Sequence, residues 1–208
     1  MLQEQTRIPT TNETNDVALF YFDVVLLMLA ASFDVVARVA HRVYELPVEA
    51  HWPNWRTKWR SKTLARADSD LAQLMASGEP ARDALEMVAL PRNSIHAAAL
   101  RGVTFRRRGR LQETRVEVPR SIEERLFTSA ERLADADEWG FHASGRSTYI
   151  EPGQYVESVL VQSAGALNDL MMATRVERLG AGEVPPEPPE DHPWDLANRT
   201  RHRLFAGV

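Results

Sequence analysis

From Val17 to Ala31 the chain is apolar except for Asp23. Beyond Asp34 the apolar positions thin to one side, Val35, Val36, Val39, Val43 and Leu46, with Arg38, His41, Arg42 and Glu45 between them. Residues three and four apart share a helical face, so the pattern predicts a first helix from about Asp16 to Leu46. Asn15 suits its N-cap, Asp16 the positive end of its dipole, and Pro47 its end. Apolar all round, its first half is expected at the centre of a bundle. A membrane span is the competing reading, but it needs about 20 apolar residues with few or no charges. The uninterrupted stretch after Asp23 runs only from Val24 to Phe33. A helix of a soluble, cytoplasmic bundle, outside any membrane, is therefore expected.

Helical spacing recurs from Trp55 to Ala76, with Trp55, Trp59, Leu64, Leu71, Leu74 and Met75 as its apolar positions and Gly78 as its stop. A third helix opens at Glu79-Pro80, and Pro91 either kinks it or starts a new segment to Leu100. The capping-box spacing Ser121-Ile122-Glu123-Glu124 predicts a helix capped by Ser121 and running to about Glu138. A long helix from Pro152-Gly153 to Leu179 carries Val156, Val159, Leu160, Leu167, Leu170 and Met171. With the first helix it should be one of the two longest, the pair packing centrally.

Two stretches break this pattern. Val103-Thr104-Phe105 and Val116-Glu117-Val118 flank an arginine-rich segment, predicting an antiparallel hairpin with an exposed turn at Arg108-Gly109. Trp139 to Ile150 predicts a second, short hairpin around Ser144-Gly145. The fold class expected is mainly α, a helical bundle with one or two inserted β-hairpins near 102–118 and 139–150. Residues 1–15 read as a flexible N-terminus, 16–180 as the bundle domain, and 181–208 as a Pro-rich linker and tail. Val184 to Glu190 has too little apolar surface to fold. Trp194, Leu196, Leu204 and Phe205 suit docking on the domain or on a protein partner.

Composition narrows the chemistry. The formal charge of −4 gives no global attraction to nucleic acid, so any such site has to be a local patch. With no cysteine, disulfides, thiolate catalysis and Cys-based zinc sites are excluded. The histidines at 41, 51, 96, 142, 192 and 202 lack metal-ligand spacing, and there is neither a Gly-rich phosphate loop nor a G-x-S-x-G elbow. No metal and no cofactor are expected.

Arg92, Asn93 and His96 are the strongest candidates for chemistry. Arg92 and His96 stand four apart, one turn on one helical face, with Asn93 beside them. A phosphodiester cleavage needs such parts. Histidine moves a proton to or from a ribose hydroxyl or leaving oxygen, arginine holds the phosphate in bidentate fashion, and asparagine orients either group. The same pair also occurs as surface caps or ion-pair partners, and spacing alone does not separate the two readings.

Leu90-Pro91-Arg92-Asn93-Ser94-Ile95-His96, late in a bundle of long helices, resembles the signature of the HEPN superfamily, helical-bundle proteins of prokaryotic defence and toxin systems. That signature is an arginine, usually a polar residue such as asparagine, then a histidine after four to six intervening residues. Here three intervene. The resemblance implies a metal-independent ribonuclease or toxin-type effector working as a homodimer on RNA, with Arg92, Asn93 and His96 as its residues. Inactive members also exist, and the hairpins lie outside the simple family bundle.

Two further groups are candidates for support. Asp34, Arg38 and His41 form a stripe on the first helix, with Asp23 near the same line. This stripe either orients His96 and Arg92 or satisfies itself as an internal Asp34–Arg38 pair. Arg106, Arg107, Arg108 and Arg110 at the hairpin tip either grip a nucleic-acid backbone or guard a solvated edge. Two other functions remain open. One is a non-catalytic interaction or scaffold domain that binds a partner through the hairpin and tail. The other is a small-molecule pocket lined by Phe20, Phe22, Trp55 and Trp59.

Overall fold

A computed structural model describes residues 12–46, 55, 59–97, 102–106 and 112–181 of the chain. It falls into two compact units, Met1–Val176 and Glu177–Val208. Only 177–181 of the second are described, within a 3-10 helix, Val176–Ala181. The predicted linker and tail otherwise lie outside the described residues, as do residues 1–11 of the predicted N-terminus and the Arg108-Gly109 turn.

The first unit is mainly helical with one small sheet. Its helices are α1 (Asn12–Val43), α2 (Ala65–Ala67), α3 (Ser69–Leu74), α4 (Pro80–Ala97), α5 (Arg120–Leu133) and α6 (Pro152–Ala173). A π-helical turn, Arg60–Leu64, leads into α2, and a 3-10 turn, Ala136–Trp139, follows α5. The strands are β1 (Gly102–Arg106), β2 (Gln112–Glu117), β3 (Phe141–Ser144) and β4 (Ser147–Ile150). They form one antiparallel sheet in the order β1-β2-β4-β3.

α1 and α6 are the two longest described helices, and they pack on each other. The centre, however, belongs to α4, which packs on α1, α5 and α6. α1 meets α6 through Phe22 against Tyr155, rings 5.8 Å apart, and the chain just past both helices meets through Tyr44 beside Arg175. The two helices therefore run parallel. α4 runs the other way. The Phe33 carbonyl accepts from Trp55 Nε1, the Trp55 carbonyl accepts from Arg82, and the Phe22–Tyr155 pair sits at Met87.

α1 is not buried all round, contrary to its pattern. Phe22, Leu26, Ala30, Phe33, Val36, Ala37 and Ala40 enter the core, while Phe20, Leu27, Met28 and Val35 stay exposed. By length and composition Asp16–Val43 is long and apolar enough to cross a membrane, at a mean hydropathy of 2.0. Its inner face nevertheless forms part of the core with Trp55, Trp59, Met87 and Tyr155. Among the four aromatics considered for a pocket, Phe22, Trp55 and Trp59 are core residues and Phe20 is at the surface.

α1 ends with Glu45 in the left-handed region, φ 47°. The Leu46 amide donates to the His41 carbonyl and the Glu45 amide to that of Arg42. This is a Schellman ending, which favours glycine because a Cβ is strained there. Glu45→Gly should therefore raise stability by about 0.5–1 kcal/mol, read as a higher midpoint in chemical denaturation.

The helix predicted from Trp55 to Ala76 is broken. Asp68 is extended, at φ −151°, and its carboxylate accepts from the amides of Asp70 and Leu71, capping α3. Tyr44 also donates to it, at 2.6 Å. Asp68 thus joins the end of α1 to the start of α3. Burial pushes its pKa up, but the Leu71 amide, the Tyr44 hydroxyl and Arg175 more than offset this, leaving it below the usual value. Because the folded pKa is lower than the unfolded one, this contribution is present above about pH 4 and is lost as pH falls through the folded pKa. Asp68→Ala should cost about 1–2 kcal/mol at neutral pH through the lost cap. Comparing denaturation midpoints at neutral and acid pH, the gap from wild type should narrow on acidification.

The first hairpin forms in a register different from the one expected. Val103 faces Arg115, Phe105 faces Glu113, and Val116 faces Gly102. Val118 lies past β2, and its amide donates to the Thr148 carbonyl. Thr114, Val116 and Val118 are buried in alternation, so β2 begins within what reads as polar turn sequence. The second hairpin turns at Gly145, φ 64°. Through β2–β4 pairing the two hairpins make one sheet. Ser121 does not cap α5: the N-cap is Pro119, and Glu123 instead accepts from Thr148 at 2.6 Å, tying the helix to β4. The long helix expected to reach Leu179 stops at Ala173.

Candidate functional site

The arginine motif lies in the last two turns of α4, which runs unbroken through Pro91. A proline there removes one amide, so the carbonyl four residues earlier, that of Met87, loses its helical donor. Tyr155 replaces it. Its hydroxyl, fully buried, donates to the Met87 carbonyl at 2.6 Å. The ring is fixed by Phe22, Trp139 and Phe141 with centroids 5.8–6.0 Å away. Burial pushes the Tyr155 hydroxyl far above its usual pKa, so it remains a donor. The second turn has a similar bond: Ser94, buried, donates to the Leu90 carbonyl at 3.0 Å.

Arg92 is half-buried. Its Nη1 donates to Asn93 Oδ1 at 3.1 Å, while its buried Nε finds no acceptor among the described residues. Asn93 is exposed. Arg92 and Asn93 are thus brought together. His96 follows in the same helix, four residues on from Arg92, with its side chain outside the described residues. The same holds for the side chain of Arg106, whose backbone is in β1, and for Arg107, Arg108 and Arg110 altogether.

The supporting stripe on α1 does not come to this turn. Because α1 and α4 are antiparallel and Phe22 stands at Met87, Arg92 lies level with the start of α1, and of the stripe only Asp23 comes near that level. Asp34 is about 16 Å further along α1, and Arg38 and His41 further still. Asp34 and Arg38 are exposed; His41 is half-buried, its Nδ1 unpartnered among the described residues. Asp23, partly buried with an unpartnered Oδ1, has its pKa raised by burial. The opposite end of α4 has its own buried acid, Asp83. Its Oδ1 accepts from Ser129 at 3.2 Å and pairs with Arg132 at 3.4 Å, linking α4 to α5. Burial outweighs these partners and raises its pKa.

Tyr155 is the residue at this site that the motif reading missed. A proline inside a helix signals an orphaned carbonyl four residues before it and therefore a donor elsewhere. The sequence holds that signal, though not the identity of the donor. Among the described residues no three histidines or carboxylates group as metal ligands. The chain matches no family model, no curated protein and no solved structure.

Proposed function

We propose that this chain is a HEPN-like, metal-independent endoribonuclease of the toxin or defence type, acting in the cytoplasm as a homodimer. The observation that carries the reading is the Arg92 guanidinium. It is held at one end by Asn93 while its Nε is left without an acceptor among the described residues. A buried cationic donor with an unmade hydrogen bond is suited to an incoming phosphate oxygen. His96, one turn on, supplies an imidazole for proton transfer. In the reaction a base takes the ribose 2′-hydroxyl proton and that oxygen attacks the adjacent phosphorus. The bond to the 5′-oxygen breaks, and an acid protonates the leaving oxygen. One histidine from each copy covers the two proton transfers.

The test is RNA cleavage in EDTA by wild type, Arg92→Lys and His96→Ala. Wild type should cleave and both variants should fail while remaining folded. A second reading, a non-catalytic scaffold domain, is favoured by the exposed apolar side of α1. Absence of cleavage by all three proteins would favour it.

A further inference from the structure

The outer side of α1 is apolar where a surface is ordinarily mixed. Phe20, Leu27, Met28 and Val35 are 62, 50, 66 and 55 % exposed, and Ala31 is exposed between them. At helical spacing they form one row about 22 Å long. A continuous apolar row at a surface marks an interaction site, whereas single exposed apolar residues do not. The charges at its ends say what fits it. Glu13 and Asp16 stand in the first turns of α1, and Arg38, His41 and Arg42 near its end. A second α1 laid antiparallel sets acid against base at both ends; a parallel one sets like against like.

We propose that α1 is a homotypic interface, pairing antiparallel with α1 of a second copy about a twofold axis between Leu27 and Met28. That axis, midway along the row, sets Phe20 against the partner's Val35. It sets Glu13 against the partner's Arg42 and brings Asp16 next to the partner's Arg38. A twofold contact is self-complementary, as this row is. A lipid surface is a poorer occupant: α1 carries Glu13, Asp16, Asp23 and Asp34, and the chain as a whole is acidic. The inference goes beyond the cleavage reading, because Arg92 stands on α4, packed on the other side of α1.

The chain has no cysteine, so one introduced thiol reports one position. With a short bismaleimide crosslinker, Met28→Cys should couple to itself and Phe20→Cys alone should not. A mixture of Phe20→Cys and Val35→Cys should give a mixed dimer. In sedimentation equilibrium Met28→Glu, at an exposed position, should halve the mass of the assembly. Glu13→Arg should weaken pairing, and Arg42→Glu added to it should restore it. Self-coupling of Phe20→Cys would overturn the antiparallel arrangement. A wild-type chain monomeric at every concentration would overturn the pairing. So would monomer that sediments with phosphatidylcholine vesicles unless Met28 is replaced by glutamate. Both readings involve self-association, so RNA cleavage separates them: cleavage without any effect of Met28→Glu on assembly overturns the α1 pairing alone, and α1 pairing without cleavage by wild type overturns the cleavage reading alone.

Discussion

Tyr155→Phe should cost about 1–3 kcal/mol of stability, an effect large for the loss of one oxygen. The ring would keep its place between Phe22, Trp139 and Phe141, so little packing changes. What is lost is the donor to the Met87 carbonyl, which has no amide to turn to because position 91 is proline. A buried carbonyl without a partner bears its desolvation cost in full. The same argument sets a second expectation. In a Pro91→Ala background the restored backbone amide can reach the Met87 carbonyl, so the cost of Tyr155→Phe should shrink to a few tenths of a kcal/mol. Urea denaturation of the four proteins in the cycle checks this. Equal costs in both backgrounds would mean that the hydroxyl acts through something other than the proline gap.

His96→Ala should lower RNA cleavage by about 10²- to 10⁴-fold, the usual range for a group that transfers the proton. The products should carry 2′,3′-cyclic phosphate and 5′-hydroxyl ends. Arg92→Lys should lose much of the activity as well, because a point charge does not reproduce the guanidinium fork that meets Asn93 on one side and, on the proposed function, would meet a phosphate on the other. Cleavage by His96→Ala equal to wild type would place the activity elsewhere. Unfolding of that variant, seen by circular dichroism, would make the histidine a structural residue.

Much of the architecture is legible in the sequence, because periodicity reports which face is buried. α1, α6 and both hairpins are placed by it. The misreadings have local causes and nonlocal remedies. Asp68 breaks a helix whose apolar spacing runs on across it, because its carboxylate does more as a cap for α3 and an acceptor for Tyr44. Glu123 is drawn from a capping box to Thr148 on β4. The slipped hairpin register follows the alternation of Thr114, Val116 and Val118, which β4 selects from outside the hairpin. At the candidate site Arg92 and Asn93 could be found from spacing. Tyr155 could not, since it lies far along the chain from the carbonyl it serves.

The corner where Tyr44, Asp68 and Arg175 meet draws on the ends of α1 and α6 and the start of α3. Those residues are far apart in the chain, and closing such a loop costs entropy that only the completed assembly offsets. On that ground we expect the corner to form late, with little of it made at the rate-limiting barrier. Weakening it should then leave the speed of folding almost unchanged and shorten the time the chain stays folded once it has arrived.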